Sequence, residues 1–110
     1  MNNTSQYTVD SDGIATLMLD LPGKSMNVLC DALISDLAAC IEKVVNDDAV
    51  KGAVIASAKP AFVAGADLTE LVTAYDRGVT IQQGYEWSKG LSGVFRRMET
   101  CGKPFAVAIN

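Results

Sequence analysis

Two short apolar segments constrain the fold more than any other feature of this sequence. Segment 51–57 contains AVIA and segment 105–109 reads FAVAI, and neither alternates apolar with polar residues. Strands of this kind are typical of a parallel sheet that is covered on both faces. Because each segment follows a predicted helix, we expect right-handed crossovers and an α/β fold.

The remaining elements follow from periodicity and turn signals. Alternating residues between Tyr7 and Met18 predict a β-hairpin split by SDG at 11–13, where the Asp-Gly pair suits positive φ angles. Apolar residues spaced by three or four predict helices, and Thr80 with Gln83 has capping-box spacing. The predicted helices span 28–45, 67–75 and 80–101. The predicted order is therefore β-β-α-β-α-α-β.

Length and charge narrow the class of protein. With 110 residues, 49% of them hydrophobic, and a net charge of -4, we expect one compact domain or part of one. The scattered basic residues argue against nucleic acid as a partner, and the apolar runs are too short for a membrane span. The first residues lack the pattern of a secretory signal, so we expect a cytoplasmic location. The uncovered terminal strand suggests a chain cut within a larger fold.

The cysteine and histidine content excludes several kinds of chemistry. Three widely separated cysteines and no histidine fit neither a disulfide framework nor a zinc site, so we expect reduced thiols and no metal. Nucleophilic systems that pair Ser or Cys with His are excluded as well. Acid–base chemistry would have to come from carboxylates, Lys, Tyr or backbone groups.

The connection at 57–68 is the part of the sequence best suited to chemistry. It joins a predicted buried strand to a helix start, where free N–H groups and the positive end of the helix dipole meet an approaching oxygen. The small residues Ala64, Gly65 and Ala66 let a ligand approach the main chain, and such an N–H can polarise a carbonyl. The residues alone equally allow a plain strand-to-helix connection in which Asp67 is an N-terminal charge.

Three motifs resemble the crotonase superfamily of enoyl-CoA hydratases and isomerases. FVAGADL at 62–68 is similar to the family's FxAGADL signature, PGKSMNVL at 22–29 to its loop before the first helix, and KPFAVAIN at 103–110 to its KPxxAAxN strand. The first loop is most like that of multifunctional fatty-acid oxidation proteins, in which a hydroxyacyl-CoA dehydrogenase domain follows. The resemblance implies a ββα spiral fold of which 1–110 is the N-terminal portion.

The resemblance also implies roles for individual residues. The Ala66 backbone N–H would be one of two oxyanion-hole donors that hold the thioester carbonyl of an acyl-CoA. Substrate would otherwise contact Lys24, Met26, Ala64, Gly65, Asp67 and Leu68. For Lys24, an ordinary solvated loop lysine is an equal alternative. We expect Asn27 to be a helix N-cap, and Asp67 and Glu70 to be dipole partners rather than catalytic groups.

The family's second oxyanion donor and its catalytic glutamates would lie beyond Asn110. We therefore expect 1–110 alone to be inactive, and the complete protein to hydrate 2-enoyl-CoA to 3-hydroxyacyl-CoA in fatty-acid β-oxidation. This chain should need no cofactor, since NAD would belong to a dehydrogenase domain. The expected partners are acyl-CoA and either further copies or a thiolase subunit. The alternative is a small non-catalytic α/β interaction or regulatory domain.

Overall fold

The computed structural model describes residues 2–110 and confirms the predicted order of elements. Each strand and helix lies where the periodicity predicts, with boundaries that differ by a few residues. In chain order they are β1 Ser5–Val9, β2 Ile14–Leu19, α1 Asp31–Asn46, β3 Gly52–Ser57, α2 Leu68–Asp76, α3 Ile81–Thr100 and β4 Phe105–Val107. None of these helices is long and apolar enough to cross a membrane.

The four strands form one mixed sheet in the order β1-β2-β3-β4. The hairpin strands β1 and β2 are antiparallel, whereas β2 with β3 and β3 with β4 are parallel, as predicted.

In the hairpin loop only Gly13 adopts a positive φ, of 81°, so the expectation that Asp12 also has a positive φ is wrong. The Asp10 carboxylate accepts from the N–H groups of Asp12 and Ile14 instead, which stabilises a wider turn.

Helix α1 covers one face of this sheet. The register pairs Leu17 with Ile55. Both are buried in the same core cluster as Leu33 and Ile41 of α1. The opposite face is only half-buried in β2 and β3. The prediction that β3 is covered on both faces is therefore wrong for residues 2–110, since the helical layer lies on one side.

The last strand also differs from its prediction. It is parallel, as expected, but it is short, and Ala106 and Val107 are exposed. The expected burial is absent because β4 is the outer strand of the sheet, bonded to β3 along one edge within residues 2–110. Part of the apolar surface of this segment is therefore left exposed by residues 2–110.

The start of α1 corrects another prediction. The helix begins at Asp31 rather than Val28, because Cys30 is the N-cap residue and has an extended backbone. Asn27 is therefore not a helix N-cap. Its side chain is fully buried and bonded elsewhere, a role that the local sequence does not indicate.

Helices α2 and α3 begin where their local signals predict. Asp67 is the N-cap of α2 and accepts from Thr69 and Glu70. Thr80 and Gln83 form the predicted capping box of α3, with both reciprocal hydrogen bonds present. Between the helices, Gly78 adopts a φ of 74°, which explains why a glycine ends α2.

Candidate functional site

The turn that joins β3 to α2 leaves space beside its main chain. Gly65 adopts a φ of 84°, a conformation that residues with a Cβ atom rarely take. A Cβ placed on Gly65 would meet nothing within 4 Å. Ala64 and Gly65 are exposed and Ala66 is half-buried. A ligand can therefore approach the backbone here, because the residues at the turn are small and the adjoining space is open.

A short parallel pairing holds this turn against the segment before α1. The Ala64 N–H donates to the Asn27 carbonyl at 2.8 Å, and the Leu29 N–H donates to the Gly65 carbonyl at 2.7 Å. Leu29 and Ala66 form an isolated parallel bridge. The two motifs at 22–29 and 62–68 are thus brought side by side, as their predicted common function requires.

The Ala66 N–H has no acceptor among residues 2–110. It lies directly before the N-cap of α2, so the partial positive charge at the start of that helix is close by. A free N–H at such a position can donate to a carbonyl oxygen and stabilise negative charge that develops on it. The Ala66 N–H is therefore a main-chain group of the turn that is suited to catalysis.

The loop that contains Lys24 and Met26 lies beside the turn. Lys59 anchors this loop, because its Nζ donates to the Lys24 carbonyl at 2.6 Å and pairs with the Asp20 carboxylate at 3.3 Å. The side chains of Lys24 and Met26 are both exposed. Sequence reasoning missed Lys59, since a single lysine in a loop has no distinguishing pattern.

The two predicted residues after Ala66 have different surroundings. The Asp67 carboxylate accepts from the Thr69 N–H at 2.9 Å and more weakly from the Glu70 N–H at 3.4 Å. It therefore caps α2, which agrees with the structural alternative for this residue. Leu68 is 74% exposed, so its side chain is available at the rim of the turn.

Three side chains connect the starts of the helices next to the turn. The Glu70 carboxylate accepts from the Asp31 N–H at 3.2 Å, and Trp87 Nε1 donates to the Asp31 carboxylate at 3.1 Å. Burial, with a contribution from the charges of Asp31 and Asp67, raises the pKa of Glu70 above its ordinary value. Glu70 lies in the first turn of α2, but its carboxylate caps the start of α1, a different helix.

Two cavities flank the bridge between Leu29 and Ala66. A cavity of about 280 Å³ lies between α2 and α3 and includes Asp67. A second, of about 330 Å³, lies between α1, α3 and the sheet and has a wholly apolar lining. Leu29 lines both cavities. The first is lined by Leu29, Asp31, Asp67, Glu70, Leu71, Ala74, Val79, Gln83, Gly84 and Trp87.

Within residues 2–110 no cluster of three His, Cys, Asp or Glu side chains is arranged to hold a metal ion. All three cysteines are free thiols, as predicted, and Cys30 and Cys40 are buried.

Comparison with known proteins shows the family and the fold of this chain. Residues 10–110 match the enoyl-CoA hydratase/isomerase family. The enoyl-CoA hydratase of Shewanella pealeana superposes with a TM-score of 0.89 over 100% of this chain and 40% of that chain, at 17% identity. The fold is thus that of crotonases, as the resemblance implied. The chain belongs to the enoyl-CoA hydratase/isomerase, or crotonase, family.

More similar sequences occur in a particular group of proteins. The fatty acid oxidation complex subunit alpha of Acinetobacter baylyi is 39% identical over 100 residues, which are 91% of this chain and 14% of that protein. The subunit of the same name from Idiomarina loihiensis is 31% identical over 100% of this chain and 15% of its own length. The chain therefore spans about one seventh of the curated relatives it matches.

Proposed function

We propose that this chain binds the thioester carbonyl of acyl-CoA substrates, and that the protein containing it hydrates 2-enoyl-CoA to 3-hydroxyacyl-CoA in fatty-acid β-oxidation. The observation that supports this most directly is the free Ala66 N–H at the open turn before α2. An N–H held in this way stabilises the negative charge that water addition to the conjugated thioester places on its oxygen.

The substrate lies along the paired segments in this proposal. Its carbonyl oxygen accepts from the Ala66 N–H, and the CoA arm passes the exposed main chain at Ala64 and Gly65. The remaining contacts come from Lys24, Met26, Asp67 and Leu68. Support comes from the parallel pairing, which brings the first loop next to the turn. The lysine ammonium suits the phosphates of CoA, since it supplies a cation near their charge.

The acyl chain enters the cavity between α2 and α3 in this proposal. Asp67, which directly follows the oxyanion donor, is at the lining of that cavity, and Leu71 and Val79 supply apolar walls. An acyl chain that leaves the carbonyl at Ala66 therefore has apolar surface within reach. Its methylene groups gain about 0.8 kcal/mol each when they are fully buried.

Hydration also needs a base that activates water and an acid that protonates the α carbon. Asp67 and Glu70 are carboxylates beside the turn, but Asp67 caps α2 and the Glu70 carboxylate is engaged with the Asp31 N–H. We therefore assign the acid and base to glutamates outside residues 1–110, together with the second oxyanion donor. Purified 1–110 should then show no hydration, and activity from it would contradict this division of roles.

The remaining assignments concern partners. We propose that the protein acts as an oligomer or with a thiolase subunit, supported by relatives whose names make them subunits of a complex. No cofactor is assigned to this chain, and NAD would serve an attached dehydrogenase domain. The alternative of a non-catalytic interaction domain predicts that substitutions of Ala66 leave turnover unchanged, so one experiment separates the two.

That experiment compares two substitutions of Ala66 in the protein that contains this chain. Ala66→Pro removes the N–H and should lower turnover by about 100- to 1000-fold, the usual effect of losing one oxyanion donor. Ala66→Gly keeps the N–H and should remain within about tenfold of the original turnover. The assay is the loss of enoyl thioester absorbance, and circular dichroism checks that both variants are folded. Near-normal turnover of Ala66→Pro would refute the proposed role.

A further inference from the structure

One buried side chain joins the segments that build the candidate site. Asn27 has an exposed fraction of 0%. Its Oδ1 accepts from the Leu21 N–H at 3.0 Å. Its Nδ2 carries two hydrogens, which are shared among the Leu19 carbonyl, the Ser57 hydroxyl and the Phe62 carbonyl at 3.2, 2.9 and 3.2 Å. These partners lie at the end of β2, at the end of β3 and in the turn, so a single amide bonds to three separate segments.

Ser57, which bonds to the Asn27 side chain, also bonds to the connection between β3 and α2. Its hydroxyl accepts from Asn27 and from the Lys59 N–H at 3.0 Å, and it donates to the Ala61 carbonyl at 2.8 Å. The half-buried connection after β3 is therefore bonded to the Asn27–Ser57 pair at several points. Because buried polar groups without partners are costly, this pair strongly favours one path of the chain.

The Asn27 main chain continues the same contact toward the oxyanion donor. Its carbonyl accepts from the Ala64 N–H at 2.8 Å, two residues before Ala66. Asn27 thus bonds to the turn through its side chain at Phe62 and through its carbonyl at Ala64. The other buried polar residues described in 2–110 are Thr4, Ser5 and Asp36, and their bonds lie at α1, away from the turn.

We propose that Asn27, acting through Ser57 and the turn, is the positioning residue of the oxyanion hole. It determines where the Ala66 N–H points relative to a bound thioester carbonyl. This inference rests on the proposed function, since it assumes that Ala66 binds that carbonyl. Oxyanion donors work only within hydrogen-bond distance of the developing charge, and a displacement of about 1 Å can lower rates by about 100-fold.

The test uses Ser57, because loss of the fully buried Asn27 amide risks unfolding. Ser57→Ala removes the hydroxyl that accepts from Asn27, and Ser57→Thr retains a hydroxyl. Asp36→Asn is the matched control, since Asp36 is a buried polar residue with several bonds that lie outside the site. Each variant is made in the protein that contains this chain. The measurements are hydration kinetics and the infrared carbonyl stretch of a bound enoyl-CoA.

We expect Ser57→Ala to lower kcat by about tenfold or more while KM changes by less than about threefold. The carbonyl stretch should return toward the frequency of free enoyl-CoA, because the hydrogen bond from Ala66 weakens. Ser57→Thr should restore both values, and Asp36→Asn should leave both unchanged even where it lowers the midpoint of unfolding. A purely structural role would lower stability in all of these variants without moving the carbonyl frequency.

The outcomes separate this inference from the proposed function. If Ser57→Ala keeps the original kcat and carbonyl frequency while Ala66→Pro loses them, positioning through the Asn27–Ser57 pair is refuted and the proposed function stands. If Ala66→Pro also leaves both unchanged, the proposed function fails and the inference fails with it. An equal loss in Asp36→Asn and Ser57→Ala would likewise refute positioning, since general destabilisation would explain both.

Discussion

Helix α1 and the pair α2 and α3 are stabilised in different ways. Six side chains of α1 are buried, whereas α2 and α3 have none in the buried class within residues 2–110. The capping contacts show the opposite pattern. Asp67 and Thr80 cap their own helices, but the N-cap of α1, Cys30, makes no side-chain capping bond. Packing and distant residues thus stabilise α1, while local signals define the starts of α2 and α3.

Both ends of α1 receive partners from distant parts of the chain. The Glu70 carboxylate accepts from the N–H of Asp31, and Lys103 Nζ donates to the carbonyls of Val44 and Asp47 at 2.7 Å each. A carboxylate acceptor at the start and an ammonium donor at the end thus satisfy backbone groups that the helix itself leaves free. The lysine of the KPFAVAIN motif therefore has a structural role that its sequence context does not reveal.

The candidate site lies where these two parts of the molecule meet. The bridge between Leu29 and Ala66 joins the segment before α1 to the segment before α2. Apolar residues of the second part remain exposed, among them Tyr75 at 80% and Ile81 at 95%. The firmly packed part therefore supports the turn from one side, while the less buried helices border the cavity on the other.

The largest expected difference between the two parts concerns their leucines. Leu33 in α1 is 0% exposed and Leu71 in α2 is 45% exposed. Leu33→Ala should lower the free energy of unfolding by about 2–5 kcal/mol, because it leaves a cavity in the core. Leu71→Ala should lower it by less than about 1 kcal/mol. Urea unfolding of both variants measures the contrast, and equal losses would show that the two parts are equally packed.

A smaller effect is expected at the C-terminal end of α1. Lys103→Met keeps much of the apolar stem but removes the ammonium, so two carbonyls lose a charged donor. The free energy of unfolding should fall by about 1–3 kcal/mol, and amide exchange at 44–47 should become faster. Lys51→Met, at an exposed lysine, is the control and should change little.

Thr80→Ala provides the matched test of a locally encoded cap. It should lower helix stability by about 1 kcal/mol, with faster amide exchange confined to the first turn of α3.

If Lys103→Met changes amide exchange only near residue 103 and not at the end of α1, the distant cap contributes nothing to α1. The contrast between local and distant capping would then be wrong.

The smallest expected effect concerns the carboxylate at the start of α1. Burial raises the pKa of Glu70, so the folded state binds its proton more tightly than the unfolded state does. Ionisation of Glu70 therefore costs stability above the folded pKa, and this cost disappears as the pH falls through that value toward the unfolded pKa. Glu70→Gln, which keeps an acceptor for Asp31, should raise stability at pH 7 by less than about 1 kcal/mol.

The pH dependence provides the check on this prediction. The advantage of Glu70→Gln should shrink as the pH falls toward the unfolded pKa of a glutamate, about 4.3, and should be absent below it. Denaturant unfolding at several pH values measures it. A variant that is less stable at pH 7 would show the reverse, namely that attraction between the carboxylate and the α1 dipole outweighs the cost of burial.

Much of the candidate site was predictable because its signals are local or belong to recognisable motifs. The small residues before Asp67 and the position of the turn between strand and helix follow from neighbouring residues. Asn27 was predicted wrongly, since an Asn before a helical pattern is locally a good N-cap. One of its actual partners, Phe62, lies 35 residues away, and no periodicity of the sequence connects the two.

The sequence by itself determined the order of elements, the parallel pairing and the starts of α2 and α3, because periodicity and capping act over a few residues. Only the tertiary structure decided that β3 has one well-covered face, that Glu70 and Lys103 cap α1, and that Asn27 bonds to the turn before α2. These contacts join residues 35 to 59 positions apart. Their energy depends on burial and direction in space, which local residue patterns do not encode.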